Sequence, residues 1–577
     1  MCKTKQPVYY IPLIVLVVLL LSGAYWSSLS HGELSLPFPL VPDQTNTITC
    51  NQIDSGTCGQ VDEGHIDLDQ IKQNKGNVNS VHQDQVNSIN QNHYVREEEK
   101  RLREDTANVT HMMPNIIFAM ADDVGWGDVQ YNNGSPMTPN LNNMAKSPNS
   151  ILLQRHYSGA PVCSPTRGTV LTGRNHNRYC LWSANAGLYQ HDFVKPETMP
   201  LPLSEISVAD VMRRAGYATA LFGKWHMGDF KKVNSGSKLW PVSHPGQHGF
   251  DQWQATERSG PTCTFNCGCF ENAECRMGHQ TRPFPCLNYY TNGSTGIEPW
   301  PDPTSGDDSQ FIWSLGKKFI KEQVNLKKPF FLYLPFHAVH QPFVATEHYE
   351  SIYLNQKYNL EQVDYYGTIS AMDDVVGNIR QLLKDLGIRD NTVLWFTSDN
   401  GPEINTPGVT NGLRGRKLQL YEGGIRVPGI IEWPNFIERN RVSWFPVVTN
   451  DFLPTVYDIL GVKPSDDQPL DGISILPLLQ GKVSHRNHSI FWAFNVNGDF
   501  SGQYDIAVSG DQYKLIAGYE NGKVHHHQLY DLLHDIGETK DLKDQYPALC
   551  EKLLGEVEEW RLSVMNSVAR VGCLDNI

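Results

Sequence analysis

The nine residues Asn115–Asp123, NIIFAMADD, decide how this chain is laid out. A short apolar run closed by two acids reads as a buried central strand with carboxylates at its C-terminal end. Similar runs recur at Ala218–Phe222, Phe330–Phe336 and Thr392–Thr397. Helical patterns lie between them at Leu203–Ala215, Phe311–Val324 and Val363–Leu386. This alternation predicts an α/β fold with a large, mostly parallel sheet sandwiched by helices. Sites in such sheets form beyond the carboxyl ends of the strands. The polar clusters that follow these strands are therefore where chemistry is expected.

Working outward, 577 residues exceed what one core usually serves, so two packed domains are expected. The first and larger domain is assigned to residues 113–483. From about residue 484 the texture changes to short β-like pieces at Ser489–Phe494, Tyr504–Val508 and Tyr513–Ala517, then a polar helix at Tyr546–Ser567. Residues 484–577 are read as a smaller C-terminal α+β domain on an antiparallel sheet. Residues 31–112 read as a disordered luminal stem: Asp67–His93 is too polar to offset its ordering entropy. The net charge of −14 argues against a nucleic-acid partner.

Residues 1–30 carry the targeting information. Lys3 and Lys5 precede the uncharged run Val8–Trp26, which is just long enough to span a bilayer with its N-terminus in the cytosol. Ser22 and Ala24 also offer a small-x-small cleavage site. A signal anchor, giving a single-pass type II membrane protein, and a cleaved signal peptide both stay open. Either one delivers the body to the secretory pathway: lysosome, Golgi or cell surface.

Cysteine usage agrees with that compartment. The chain has 12 cysteines. Setting aside Cys2 and Cys163 leaves an even set, as a disulfide framework requires. Five of them crowd into Cys263–Cys286 without matched C-x-x-C pairs, so a stapled surface loop is expected there rather than zinc. Asn108, Asn292 and Asn487 are glycosylation sequons, while Asn133 precedes Gly-Ser-Pro and is a poorer one.

The chemistry starts at Asp122 and Asp123. VLWFTSDNG repeats the same pattern, an apolar strand and then Asp399-Asn400-Gly401. Three carboxylates and an amide carbonyl make a hard oxygen site suited to Ca²⁺ or Mg²⁺. Taken singly, either motif reads equally well as a strand-end turn or a cap. GKWHMG places Lys224 and His226 two apart on an extended segment, hence on one side. FHAVHQP adds His337 and His340, and LRGRKLQLYEGG adds Arg414, Arg416 and Lys417. The polar run His525–His527 reads as an exposed loop rather than a metal tract.

The remaining motif is CSPTRGTVLTGR, Cys163–Arg174. Together with ADDVGWGD, GKWHMG, HAVHQP, TSDNG and GRKLQLYEGG, in that order, it resembles the type I sulfatases, the arylsulfatase family of the alkaline-phosphatase-like superfamily. The core C-x-P-x-R is met by Cys163, Pro165 and Arg167, and its extension by Gly168, Thr172, Gly173 and Arg174. The resemblance is strong over residues 114–430 and looser beyond.

The resemblance implies that Cys163 is oxidised to Cα-formylglycine by the formylglycine-generating enzyme, and that the hydrated aldehyde is the nucleophile. It implies one Ca²⁺ held by Asp122, Asp123, Asp399 and Asn400, with residue 163 near or on the ion. Arg167 and His226 would orient and activate the hydrate. Lys224, His340 and Lys417 would bind sulfate oxygens, and His340, rather than His337, would protonate the leaving group. Pro165 is expected at the first helical position. The function implied is hydrolysis of an aryl or sugar sulfate ester. The rivals are a related phosphomonoesterase or phosphonate hydrolase, and a catalytically silent, membrane-anchored binding protein of the same fold.

Overall fold

The computed structural model describes residues 113–184, 199–230, 242–257, 289–293, 296–299, 308–341, 343–465, 467–494, 503–520 and 522–571. The N-terminal apolar segment, the stem, Asn108 and the Cys263–Cys286 cluster lie outside the described residues. All described residues belong to one compact unit, Ser80–Ile577. No described helix is long and apolar enough to cross a membrane.

Asn115–Ala121 is a strand near the middle of a ten-stranded sheet. Five adjacent strands run parallel: Thr392–Ser398, Asn115–Ala121, Phe330–Pro335, Ala218–Lys224 and Gln252–Thr256. Beyond Gln252–Thr256 come the antiparallel strands Tyr290–Gly293 and Gly296–Pro299. On the other flank, Gly429–Glu432 runs antiparallel between Thr392–Ser398 and Ser150–Leu153, and Arg441–Ser443 closes the edge.

Every residue of Asn115–Ala121 is buried, and successive side chains serve different cores. Ile116, Phe118 and Met120 face a core completed by the helices Val208–Arg214 and Phe452–Leu460. Ile117, Ala119 and Ala121 face a second core completed by Asp308–Leu326 and Leu360–Asp385. A strand covered on both faces has no reason to alternate with polar residues, which explains its continuous apolar pattern. The expected helix Leu203–Ala215 is shorter than predicted. Its start is set by Ser207, whose hydroxyl accepts from Asp210 N while the Asp210 carboxylate accepts from Ser207 N.

The C-terminal part is an antiparallel sheet of Ile490–Phe494, Gln503–Ser509, Tyr513–Glu520 and Lys523–Asp531, with the helix Pro547–Val571. One face, including Val508, Leu515 and Leu529, packs on Val557, Trp560 and Val564 of that helix. The opposite face, including Trp492, Ile516 and Tyr530, packs on Tyr157, Val162, Leu420 and Ile425.

Two expectations are corrected here. His525–His527 is part of an edge strand, not a loop: it pairs with Tyr513–Glu520 through a register shift at Gly518/Tyr519, anchored by buried Leu529 and Tyr530. Three consecutive histidines mask the alternation that would have shown it. Cys550 is a free thiol on the buried face of the C-terminal helix, so an even cysteine count does not mean that all are paired. Cys180 is disulfide-bonded. Asn292 and Asn487 are exposed, as glycan acceptors must be.

Phe118 sits at the centre of the first of these cores, its ring 4.4 Å from Phe452, 5.7 Å from Trp395 and 5.8 Å from Tyr333, centroid to centroid. Phe118→Ala is expected to cost about 3–5 kcal/mol in urea unfolding. A loss below about 1 kcal/mol would contradict this placement of the core.

Candidate active site

The parallel strands deliver the polar residues to one end of the sheet. Ala121 is in register with Ser398, so Asp122-Asp123 and Asp399-Asn400 emerge side by side. Asp399 N donates to Ala121 O at 3.1 Å, and Asp123 N donates to Asp399 Oδ1 at 3.1 Å. The segment after Phe330–Pro335 is tied to the same place: Asp122 N donates to Ala338 O at 2.8 Å and Val339 N to Asp122 O at 2.6 Å. Those bonds carry His340 to the rim of the carboxylate group.

The helix Cys163–Thr172 is wholly buried and begins at Cys163 itself, with Val162 as the preceding cap. Pro165 is its third residue, not its first as expected. The first-turn N–H groups have no intrahelical acceptor, so a proline there removes no helix bond. Gly168 is required by a close approach, since a Cβ would sit 2.6 Å from the Tyr179 hydroxyl. Gly173, at φ 65°, ends the helix by donating to Thr169 O at 2.9 Å. The helix thus presents Cys163 at its N-terminal end, with Sγ 3.5 Å from Asp122 Oδ1.

Cations pair with the carboxylates. Lys224 Nζ lies 2.5 Å from Asp122 Oδ2. Arg167 donates to Asp399 Oδ2 at 2.6 Å and lies 3.5 Å from Asp122 Oδ2. Lys417 Nζ lies 2.8 Å from the Asp123 carboxylate and 3.0 Å from Glu403 Oε2. His340 Nε2 stands 3.8 Å from Asp123 Oδ2.

The ionisation states follow from burial and these neighbours. Burial, reinforced by the Asp122 charge, raises Asp399 to about 6. Burial also opposes the charge on Asp123, but Lys417, His340 and Lys224 hold it at about 2. Lys417 is pushed above the usual lysine range because Asp123 and its neighbours outweigh its burial. Burial pushes the Cys163 thiol up, against the pull of Lys224 and Lys417. His226 and His340 are both held below the usual histidine range, first by burial and then by Lys224.

Every residue expected at the site is here, with adjustments. Lys224 ends its strand, but His226 has φ 58°, so the pair is not on one extended segment as predicted. His337 is held away by Asp308 Oδ2 at 2.7 Å and Thr256 Oγ1 at 2.8 Å, which leaves His340 facing the carboxylates. Of the basic triplet, only Lys417 reaches them. Arg414 donates to the Tyr530 hydroxyl and lies 3.8 Å above the Tyr421 ring. Arg416 donates to the carbonyls of Glu403 and Gly408. Glu403 was missed, although its place two residues after Gly401 was the available signal.

The donor set fits a hard cation. One ligand atom from each of Asp122, Asp123, Cys163 and Asp399 lies within 4.8 Å of the others. The Asn400 amide donates to Asp123 Oδ1 at 2.5 Å, while its buried Oδ1 has no hydrogen-bond partner. A buried acceptor left unpaired is costly, and three carboxylates with one amide oxygen suit Ca²⁺.

The family model for sulfatases matches residues 114–462, the segment that builds this site. The chain belongs to the sulfatase family. A second model, the C-terminal part of N-sulphoglucosamine sulphohydrolase, matches residues 415–562. Among curated relatives, N-acetylgalactosamine-6-sulfatase of Rattus norvegicus is 32% identical, covering 70% of this chain and 71% of the relative. Steryl-sulfatase of Homo sapiens is 28% identical, covering 66% and 72%. Among solved structures, Ps i-CgsB in complex with k-i-k-neocarrahexaose aligns with TM-score 0.65 at 26% identity, covering 78% of this sulfatase and 92% of that chain. The protein is a sulfate ester hydrolase.

Ca²⁺ added to the chelator-treated sulfatase at about a hundred times its Kd is expected to add about 2.7 kcal/mol of stability, read as a higher Tm by calorimetry. Asp399→Asn and Asn400→Ala should reduce that rise. A Ca²⁺ response equal in wild type and Asp399→Asn would remove Asp399 from the ligand set.

Proposed function

We propose that this sulfatase hydrolyses sulfate monoesters of sugars, with residue 163 working as the hydrate of Cα-formylglycine and Ca²⁺ held by Asp122, Asp123, Asp399 and Asn400. The observation that carries the reading is the setting of Cys163: first residue of a buried helix, 3.5 Å from Asp122 Oδ1, in a ring of three carboxylates and three cations. A thiol buried and pushed up in this way is a weak nucleophile. Even an attacking sulfur would leave an S-sulfonate with no easy route to break down.

The hydrate instead supplies one hydroxyl to attack sulfur and a second to expel sulfate, leaving the aldehyde to be hydrated again. When bound, Ca²⁺ favours the ionised hydroxyl and polarises a sulfate oxygen. The chain's own groups do the rest. Arg167, pinned between Asp399 and Asp122, and buried His226 hold residue 163 in its attacking orientation. Lys224 and Lys417 take sulfate oxygens and offset the charge that shifts in the transition state.

His340 is the group nearest solvent among these, and it is neutral before substrate arrives. An anionic sulfate ester beside it favours the imidazolium, so the ring gains a proton on binding and can deliver it to the departing oxygen. Sugar sulfates are favoured as substrates by the 32% identical N-acetylgalactosamine-6-sulfatase and by the carbohydrate in Ps i-CgsB. Conversion of Cys163 is assigned to the formylglycine-generating enzyme in the secretory pathway. The basic-then-apolar N-terminus, disulfide-bonded Cys180 and exposed Asn292 and Asn487 support that route.

The test compares a panel of sugar sulfates, nitrophenyl sulfate and nitrophenyl phosphate. Wild type should favour the sulfates, and Cys163→Ala should abolish turnover of all of them. Faster turnover of the phosphate would support a phosphomonoesterase instead. His340→Ala should lower kcat for alkyl sugar sulfates by about 10²–10⁴-fold but spare nitrophenyl sulfate, whose leaving group needs no proton. Equal losses on both would remove His340 as the acid.

A further inference from the structure

Lys417 is shared by two carboxylates of different standing. Asp123 is 2% exposed and belongs to the ligand group, whereas the Glu403 side chain is 30% exposed at the same ammonium, 3.0 Å away. The Glu403 carboxylate is held in place at both oxygens: Oε1 accepts from Ile404 N at 2.9 Å and Oε2 faces Lys417. Its main chain is fixed as well, because Arg416 Nη1 and Thr406 Oγ1 donate to Glu403 O at 2.7 and 2.9 Å.

The nearby arginines do not neutralise Glu403. Arg416 spends its guanidinium on the carbonyls of Glu403 and Gly408, and Arg414 on Tyr530 and the Tyr421 ring. A partly solvated, positioned negative charge therefore stands beside a cation assigned to sulfate.

We propose that Glu403 is a specificity-determining residue: its carboxylate admits sulfate esters whose neighbouring groups are hydroxyl or ammonium and rejects those with a second anion next to the ester. This rests on the reading of Lys417 as a sulfate-binding group. A hydroxyl or ammonium beside the ester can donate to the solvent-facing side of the carboxylate. A carboxylate or second sulfate there meets like charge, which is a repulsive device for excluding a substrate.

The experiment measures kcat/KM for nitrophenyl sulfate and for its ortho-carboxy derivative in wild type, Glu403→Gln and Glu403→Asp. The intrinsic difference between the two esters cancels when the ratio is compared between variants. Glu403→Gln is expected to raise the carboxylated-to-plain ratio by at least about tenfold, whatever it does to either rate alone. Glu403→Asp, which keeps the charge, should leave the ratio near wild type. An equal effect of Glu403→Gln on both esters would overturn the proposal and leave Glu403 as a support for Lys417. Lys417→Ala with unchanged KM for nitrophenyl sulfate would overturn the underlying placement of sulfate, and this inference with it.

Discussion

The structure depends on the confinement of Asp122, Asp123 and Asp399, three carboxylates at the ends of two adjacent strands, all out of water. Charges in that position repel one another and have lost their solvation. The fold answers with Arg167 from the buried helix, Lys224 from the end of a strand two places along the sheet and Lys417 from a loop distant in sequence. Each cation comes from a different element, so the site forms only when helix, sheet and loop are in register. The same acids that need neutralising are those that would grip a divalent ion.

That constraint also explains the work of the C-terminal sheet. The segment carrying Lys417 has little regular structure of its own and is clamped from outside. Arg414 lies against Tyr421 and Tyr530, and the Tyr421 hydroxyl donates to Gln528 at 2.7 Å. Behind it, Lys514 bridges Glu422 at 3.0 Å and Glu538 at 2.9 Å, all three buried. Removing one member would strand a charge in the interior, at a cost of about 3–5 kcal/mol. These contacts of its neighbours add to the ion pairs by which Lys417 itself reaches Asp123 and Glu403.

Much of this was legible in the sequence because its signals were local. NIIFAMADD carried both the two-faced burial and the acids, and the order of the motif blocks carried the family. That Asp122, Asp123, Asp399 and Asn400 lie together, with His340 rather than His337 beside them, was expected from motif positions alone. What stayed hidden was set by contacts distant along the chain. The left-handed backbone of His226, the pairing of His525–His527 as an edge strand and the free thiol of Cys550 follow from packing, not from periodicity. Glu403 was overlooked for the same reason: its meaning appears only once Lys417, fourteen positions on, folds back onto it.

On the proposed mechanism Cys163 is a precursor, converted to an aldehyde and seated at a helix start facing the carboxylates. Mass spectrometry of the peptide spanning residue 163, on protein made in the secretory pathway and active on a sulfate ester, tests it most directly. Formylglycine or its hydrate is expected at that residue, in proportion to specific activity. Unmodified cysteine throughout a fully active preparation would contradict it.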